Sequence, residues 1–355
     1  MLFLLCSFGL SATVTWNELQ SRSKSTICSK YNSLYKAKHT GSCHTASSSK
    51  CNIGKHAAQD YTDALNRLNF FRYLTGLSTL KKSTNSTLIK EQNQACLIME
   101  TNNVFSHSLS SSLSCYTKGG GLAASKSNIY WHSRAACASA SINSYMNDNG
   151  VDSLGHRRWL LLPTLSELAV GVVGHYSALR VMQFPRTSTS SPKFIAYPPP
   201  GPVPSDLIYS YWSFSRQWNP KSQSAHNMPS DTKVSITCNG KSISVSQKLY
   251  TENTAMYSGI VKFKPARLPS VGEKFDVTIQ SKSANTVWKY SVTAVSCASN
   301  EANEMDEEIE IEQNSELTTE GKITISTVVI VVGIAIIAFV AFLIIRKRSL
   351  KYIPL

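Results

Sequence analysis

No charged residue and no proline interrupts residues 323–345. A helix over that stretch is about 34 Å long, enough to cross a hydrocarbon core of about 30 Å with some tilt. Few buried helices of soluble proteins are apolar on every face for so long. Residues 301–320 contain no Lys or Arg, whereas Arg346, Lys347, Arg348 and Lys351 follow the apolar run. Positive charge collects on the cytoplasmic side, so the sequence predicts a single-pass type I plasma-membrane protein with an extracellular bulk and a short cytoplasmic tail, residues 346–355.

Other absences exclude chemistry. There is no H-E-x-x-H, no G-x-S-x-G and no C-x-x-C. These remove the helix-borne zinc site of many metalloproteases, the nucleophile elbow of α/β-hydrolases, and zinc ribbons or thioredoxin-like pairs. Gly119, Gly120 and Gly121 are not followed by G-K-[ST], so they do not make a phosphate loop and read as a flexible cleft edge. No segment repeats. Acid is scarce across residues 13–300, where 31 Lys and Arg stand against 13 Asp and Glu, a net of +18. Such a surface suits anionic glycans or acidic membranes, or simply keeps a secreted domain soluble; nucleic acid is not an expected partner outside the cell.

The start of the chain agrees with secretion. Residues 1–12 are apolar, end in small side chains and read as a signal peptide, although no basic residue precedes the apolar run. A buried N-terminal strand is the rival reading. Cys6 leaves with the signal, and eight cysteines remain, all before the membrane span. An even count in an oxidising compartment predicts up to four disulfides and argues against a cysteine nucleophile. Asn85-Ser86-Thr87 is a glycosylation sequon in a polar stretch.

Composition divides the rest. Residues 13–56 form a basic, cysteine-containing extension too polar for a core of its own, expected to staple onto residues 57–190. That second part reads as helical and then mixed. Residues 191–229 read as a proline-rich linker, with residues 195–204 (IAYPPPGPVP) an extended, semi-rigid spacer. Residues 230–298 look all-β, and residues 299–322 form an acidic stalk with too few apolar side chains to fold.

Within residues 57–190, Tyr61, Ala64, Leu65, Leu68 and Phe71 recur at helical spacing, with Asp60 a candidate cap and Gly76 a candidate terminator. A second helix follows Asn85 and buries Leu88, Ala95, Ile98 and Met99. A third spans residues 133–146 with Ala136, Ile142, Tyr145 and Met146 inward. Strands fit residues 168–173 and 179–184. The order LNRLNFFRYLTGL, VFSHS, SNIY and YMNDNGVDSLGHRRWLL resembles the CAP superfamily of cysteine-rich secretory, antigen 5 and pathogenesis-related proteins (SCP domains). The resemblance implies an α-β-α sandwich and a cleft bearing two histidines and two acidic residues. His107 and His156 match the histidines. Ser127 stands where the first glutamate would be, and residues 133–145 hold no Asp or Glu for the second.

That loss decides the functional expectation. A catalytic zinc site ordinarily takes three protein ligands, and hydrolysis also needs a base. His107 and His156 alone make a weak metal pair, which Asp148 or His132 would have to complete. The alternative is that the two histidines hold the motif loops together by hydrogen bonds. The sequence therefore predicts no cofactor and a non-enzymatic cell-surface head, whose partners are glycans, lipids or sterols, or surface proteins of other cells or microbes. A metal-dependent hydrolase using His107 and His156 is the alternative, and a purely structural coat component a third reading.

The β region alternates from Val234, turns at Asn239-Gly240 and continues through further strands near residues 258–263, 275–279 and 290–295, which suggests an immunoglobulin-like sandwich serving as a spacer. The whole is α+β in class: a CAP-like α-β-α sandwich, an all-β sandwich and a transmembrane helix. Cys238 and Cys297 are expected to pair across the sandwich, and Cys115 with Cys137 around the glycine run.

Overall fold

A computed structural model describes residues 15–47, 50–182, 194–216, 228–250 and 259–297. The expected signal, stalk, anchor and tail lie outside the described residues; among the described residues, no helix is long and apolar enough to cross a membrane. The fold is α+β, as the periodicities predict.

The helical part is organised by a small antiparallel sheet in the order β4 (Ser127–Trp131), β7 (Tyr176–Arg180), β6 (Val170–Val173). α4 (Ser86–Asn102) and α5 (Lys118–Ser125) cover one face and bury Cys96, Met99, Ala124, Ile129 and Ala178. α3 (Ala58–Leu74) and α6 (Ala138–Asn147) cover the other with Leu68, Phe71, Ile142 and Tyr145. Gly171 on β6 permits the close approach of α4: a Cβ there would sit 2.4 Å from the backbone of Gln92 and Asn93.

Local signals placed α3 and α4 well. Asn85 caps α4, its Oδ1 accepting from Leu88 N at 3.0 Å. Asp60 does not cap α3; it lies in its first turn and caps α6 instead, accepting from Ala138 N (2.8 Å) and Ser139 N (3.1 Å). The glycine run is not a loop edge. It forms α5, where a Cβ on Gly119, Gly120 or Gly121 would meet Glu91, Ile98 or Tyr116 at 2.8–2.9 Å; the glycines are what let α5 pack so closely.

Residues 195–204 are not a spacer. β8 (Phe194–Tyr197), β10 (Trp212–Arg216), β14 (Ile260–Pro265) and β13 (Val245–Tyr250) form one sheet. The second sheet runs β12 (Lys241–Ile243), β11 (Lys233–Cys238), β15 (Lys274–Ser281), β16 (Thr286–Val295) and β9 (Gly201–Pro204). The prolines of β9 are tolerated because it is an edge strand, paired on one side only with β16. Asn239 (φ 51°) and Gly240 (φ 75°) make the expected turn between β11 and β12. Trp212, Phe263, Phe275 and Val292 meet between the sheets.

No separate spacer domain results. One continuous apolar core includes Leu68 and Phe71 of α3 with Trp212 and Phe275 of the sandwich, and the described residues fall within one compact unit. Tyr197 of β8 stacks edge-on against Phe71, 6.0 Å between centroids. Arg157 reaches across, donating through Nη1 to Tyr211 O at 2.7 Å with its guanidinium over the Tyr197 ring.

The N-terminal extension folds as α1 (Trp16–Gln20), α2 (Lys24–Lys30) and a hairpin of β1 (His44–Ser47) and β2 (Asn52–His56). It carries half of every cross-link. The disulfides are Cys28–Cys297, Cys43–Cys137 and Cys51–Cys115, so both expected pairs, Cys238–Cys297 and Cys115–Cys137, are wrong. Cys238 ends β11, with β15 between it and β16, the strand that leads to Cys297, while α2 delivers Cys28 to Cys297. The β1–β2 hairpin brings Cys43 to Cys137 and Cys51 to Cys115. Cys96 and Cys238 are free and buried, so three of the up to four expected disulfides form. Burial pushes the Cys96 thiol well up, which keeps it protonated and inert.

Candidate functional site

α6 ends at Asn147, and Asp148 takes the left-handed conformation just beyond it (φ 53°). α7 (Gly155–Leu160) follows after Leu154, which is left-handed as well (φ 51°). This double turn folds the chain back so that Asp148 faces the first turn of α7. His156 Nδ1 donates to Asp148 Oδ1 at 2.7 Å, and Arg157 N donates to Asp148 Oδ2 at 3.1 Å. A carboxylate accepts and does not donate, so a proton sits on Nδ1, and in the neutral ring Nε2 is the acceptor. Asp148 is wholly buried, whereas the His156 side chain is 25% exposed. Tyr145 packs against the imidazole, 5.3 Å between centroids. Asn128 Nδ2 donates to His156 O at 3.1 Å, and Tyr145 OH to Asn128 O at 3.1 Å. The pair is thus held from β4 and α6.

His107 is exposed and belongs to the other helix layer. Its Nδ1 donates to Ala124 O, in the last turn of α5, at 2.9 Å. Ser127 does not line a cleft. It opens β4 in a buried position, with its hydroxyl between Gln92 Oε1 (2.6 Å) and Ala123 O (2.7 Å). Among the described residues, no hydrogen bond joins His107 or Ser127 to the Asp148–His156 pair. His132 is elsewhere too: its Nδ1 accepts from Arg134 N at 3.2 Å and its ring stacks on Tyr130. Burial pushes the His132 imidazole toward its neutral form, with Arg134 and His175 adding to the effect.

The structure brings together one of the expected combinations, Asp148 with His156. Among the described residues, the one group of three potential ligands within 4.8 Å of one another is Cys43, Asp60 and Cys137. Two of these are tied to each other in a disulfide, so the group does not fit a metal. The donor set around His156 is one imidazole whose carboxylate partner is already engaged by two donors.

Sequence reasoning missed two further carboxylate–histidine contacts. Glu100 accepts from His175 N (2.9 Å) and Nδ1 (3.1 Å), tying the β6–β7 turn to the end of α4. Asp60 accepts from His56 Nε2 at 2.7 Å as well as from α6. Glu100 and His175 are 75 residues apart, whereas His56 lies four residues before Asp60 but in a different element.

Comparison with protein-family models, with curated proteins and with solved structures finds no match.

Proposed function

We propose that this chain is a cell-surface protein whose helical head is a CAP-like α-β-α sandwich, backed by an immunoglobulin-like sandwich, and that the head binds a ligand without chemistry. The reading rests on one observation above others: His107 and His156 each commit Nδ1 to a different protein acceptor, and among the described residues no third ligand completes a metal set beside either. The head also presents two large aromatic side chains to solvent, Phe105 and Trp131. Phe105 packs beside Tyr176, the cross-strand partner of Trp131, and Glu100 and His175 lie next to it in the chain and fold. Exposed rings flanked by hydrogen-bonding groups suit glycans, or lipids and sterols, and the net positive charge favours acidic forms of either. No cofactor enters the proposal. Presenting the ectodomain, residues 13–300, to glycan and lipid panels tests it: saturable binding to one class supports the reading.

A second reading is favoured by the Asp148–His156 bond itself. A carboxylate that orients an imidazole is the arrangement of general bases and of zinc-bound histidines. A hydrolase would use His156 Nε2 as base or ligand, with Asp148 the acidic partner the resemblance lacks. Tight stoichiometric zinc binding would favour this reading over the first.

A further inference from the structure

Three residues between positions 148 and 154 have left-handed backbone: Asp148 (φ 53°), Gly150 (φ 81°) and Leu154 (φ 51°). Glycine favours that region and aspartate tolerates it, but a buried leucine gains nothing there. Such a conformation persists where the surroundings fix it. Asp148 fixes the two ends of this loop to each other through His156 and Arg157 N. The middle is fixed from the β-sandwich.

Asp152 lies between Lys248 of β13 and Lys262 of β14. Lys248 Nζ donates to Asp152 Oδ2, and Lys262 Nζ donates to Asp152 O (3.1 Å) and Oδ1 (3.3 Å). Lys248 and Lys262 stand directly opposite each other in the β13–β14 ladder, where like charges repel. Lys262 is only 8% exposed, so its ammonium requires an acceptor. Asp152 meets both demands, and the hydrogen bonds from Lys248 first of all hold its carboxyl well below the usual carboxylate range. The same sheet also grips the residue after His156: Arg157 Nη1 donates to Tyr211 O and to Ser213 Oγ (3.4 Å).

We propose that the β-sandwich positions the Asp148–His156 pair, with Lys248 and Lys262 holding loop 148–154 through Asp152. Asp152, Lys248 and Lys262 are positioning residues; they act on His156 through the loop. The hold is also graded by ionic strength. Lys248 and Asp152 are 61% and 66% exposed in their side chains, so salt screens their attraction, while the Lys262 contact is partly protected. This goes beyond the binding reading, because it concerns what holds the pair and not what the head recognises.

The test reads the His156 ring nitrogens by nitrogen–proton correlation spectroscopy on the 13–300 ectodomain, which contains the described compact unit. The wild type should show one tautomer, protonated at Nδ1 and bare at Nε2. Asp152→Asn and Lys248→Gln should shift His156 toward a mixture of tautomers, and Asp152→Glu should restore the single form. About 1 M salt, where the screening length falls to about 3 Å, should move the wild type toward the Lys248→Gln spectrum. His107, bound to Ala124 O, should stay unchanged throughout. If Asp152→Asn fails to fold, Lys248→Gln carries the test, since it leaves the Lys262 contact in place. An unchanged His156 spectrum in the folded variants and in salt would overturn the proposal. So would a parallel change at His107, which would mean general loosening.

Discussion

Replacing Asp60 with alanine should cost several kcal/mol of stability. The carboxylate is fully buried and accepts four hydrogen bonds: from Ala138 N, Ser139 N, Ser139 Oγ and His56 Nε2. The Ser139 hydroxyl can turn to another acceptor. The other three donors cannot, and Ser139 and the His56 side chain are 6% and 8% exposed, so water reaches them poorly. A buried donor left without an acceptor costs about 1–3 kcal/mol. Three such donors, two of them the cap of α6, give about 3–9 kcal/mol, a large share of the roughly 5–15 kcal/mol that folds a domain. Asp60→Asn keeps one acceptor oxygen and should cost about half as much. Burial opposes the Asp60 charge, but the bonds from His56 and Ser139 outweigh it and lower its pKa. A lowered folded pKa means that this contribution is complete above the ordinary aspartate value of about 3.9 and fades as pH falls through the folded value. The gap between wild type and Asp60→Asn should therefore be constant near neutrality and close below about pH 4. Urea unfolding of the ectodomain measures it. A loss below about 1 kcal/mol for Asp60→Ala at pH 7 would refute the reasoning.

Other outcomes follow from the cross-links and the surface. Cys28→Ser opens a loop of 269 residues and should cost about 2–5 kcal/mol; peptide mapping without reductant should recover Cys28 joined to Cys297 and leave Cys96 and Cys238 alkylated only after unfolding. Asn85 engages only Oδ1 in its cap among the described contacts, so Nδ2 remains available for a glycan. Endoglycosidase should lower the apparent mass of wild type and not of Asn85→Gln, a variant that also loses about 1 kcal/mol of helix capping; a wild type with no glycan would contradict both the modification and the extracellular placement. Zinc calorimetry on the ectodomain should give weak heat at best, and a tight isotherm abolished by His107→Ala and His156→Ala would move the account to the hydrolase reading.

Helices α3 and α4 were legible because their signals are local. Asn85 sits at the start of an apolar stripe, and Ala95, Ile98 and Met99 fall on one face of α4 and are buried. The Asn239-Gly240 turn was legible for the same reason. What escaped depends on distant partners. A run of prolines in residues 195–204 reads as a spacer until β16 is seen to offer an edge. Three glycines argue against a helix until the side chains of α4 are seen packed against two of them, Gly119 and Gly120. Eight cysteines do not fix their pairing, and here every bridge involves the polar extension, whose own sequence suggested only that it needs a support. Asp148 was named beside His132 as a residue that would complete a set, but its 2.7 Å contact with His156 comes from a loop with three left-handed residues that no spacing rule announces. Asp152 had no signal at all, since its partners lie about a hundred residues away.

The central claim is that the head binds and does not cleave. The most direct measurement is the binding isotherm of the 13–300 ectodomain on a ligand selected from glycan and lipid panels, taken with and without a metal chelator, with the ligand recovered and analysed afterwards. Saturable binding that the chelator leaves unchanged, with the ligand recovered intact, is the expected outcome. Binding lost on chelation, or a ligand recovered as cleavage products, would contradict it.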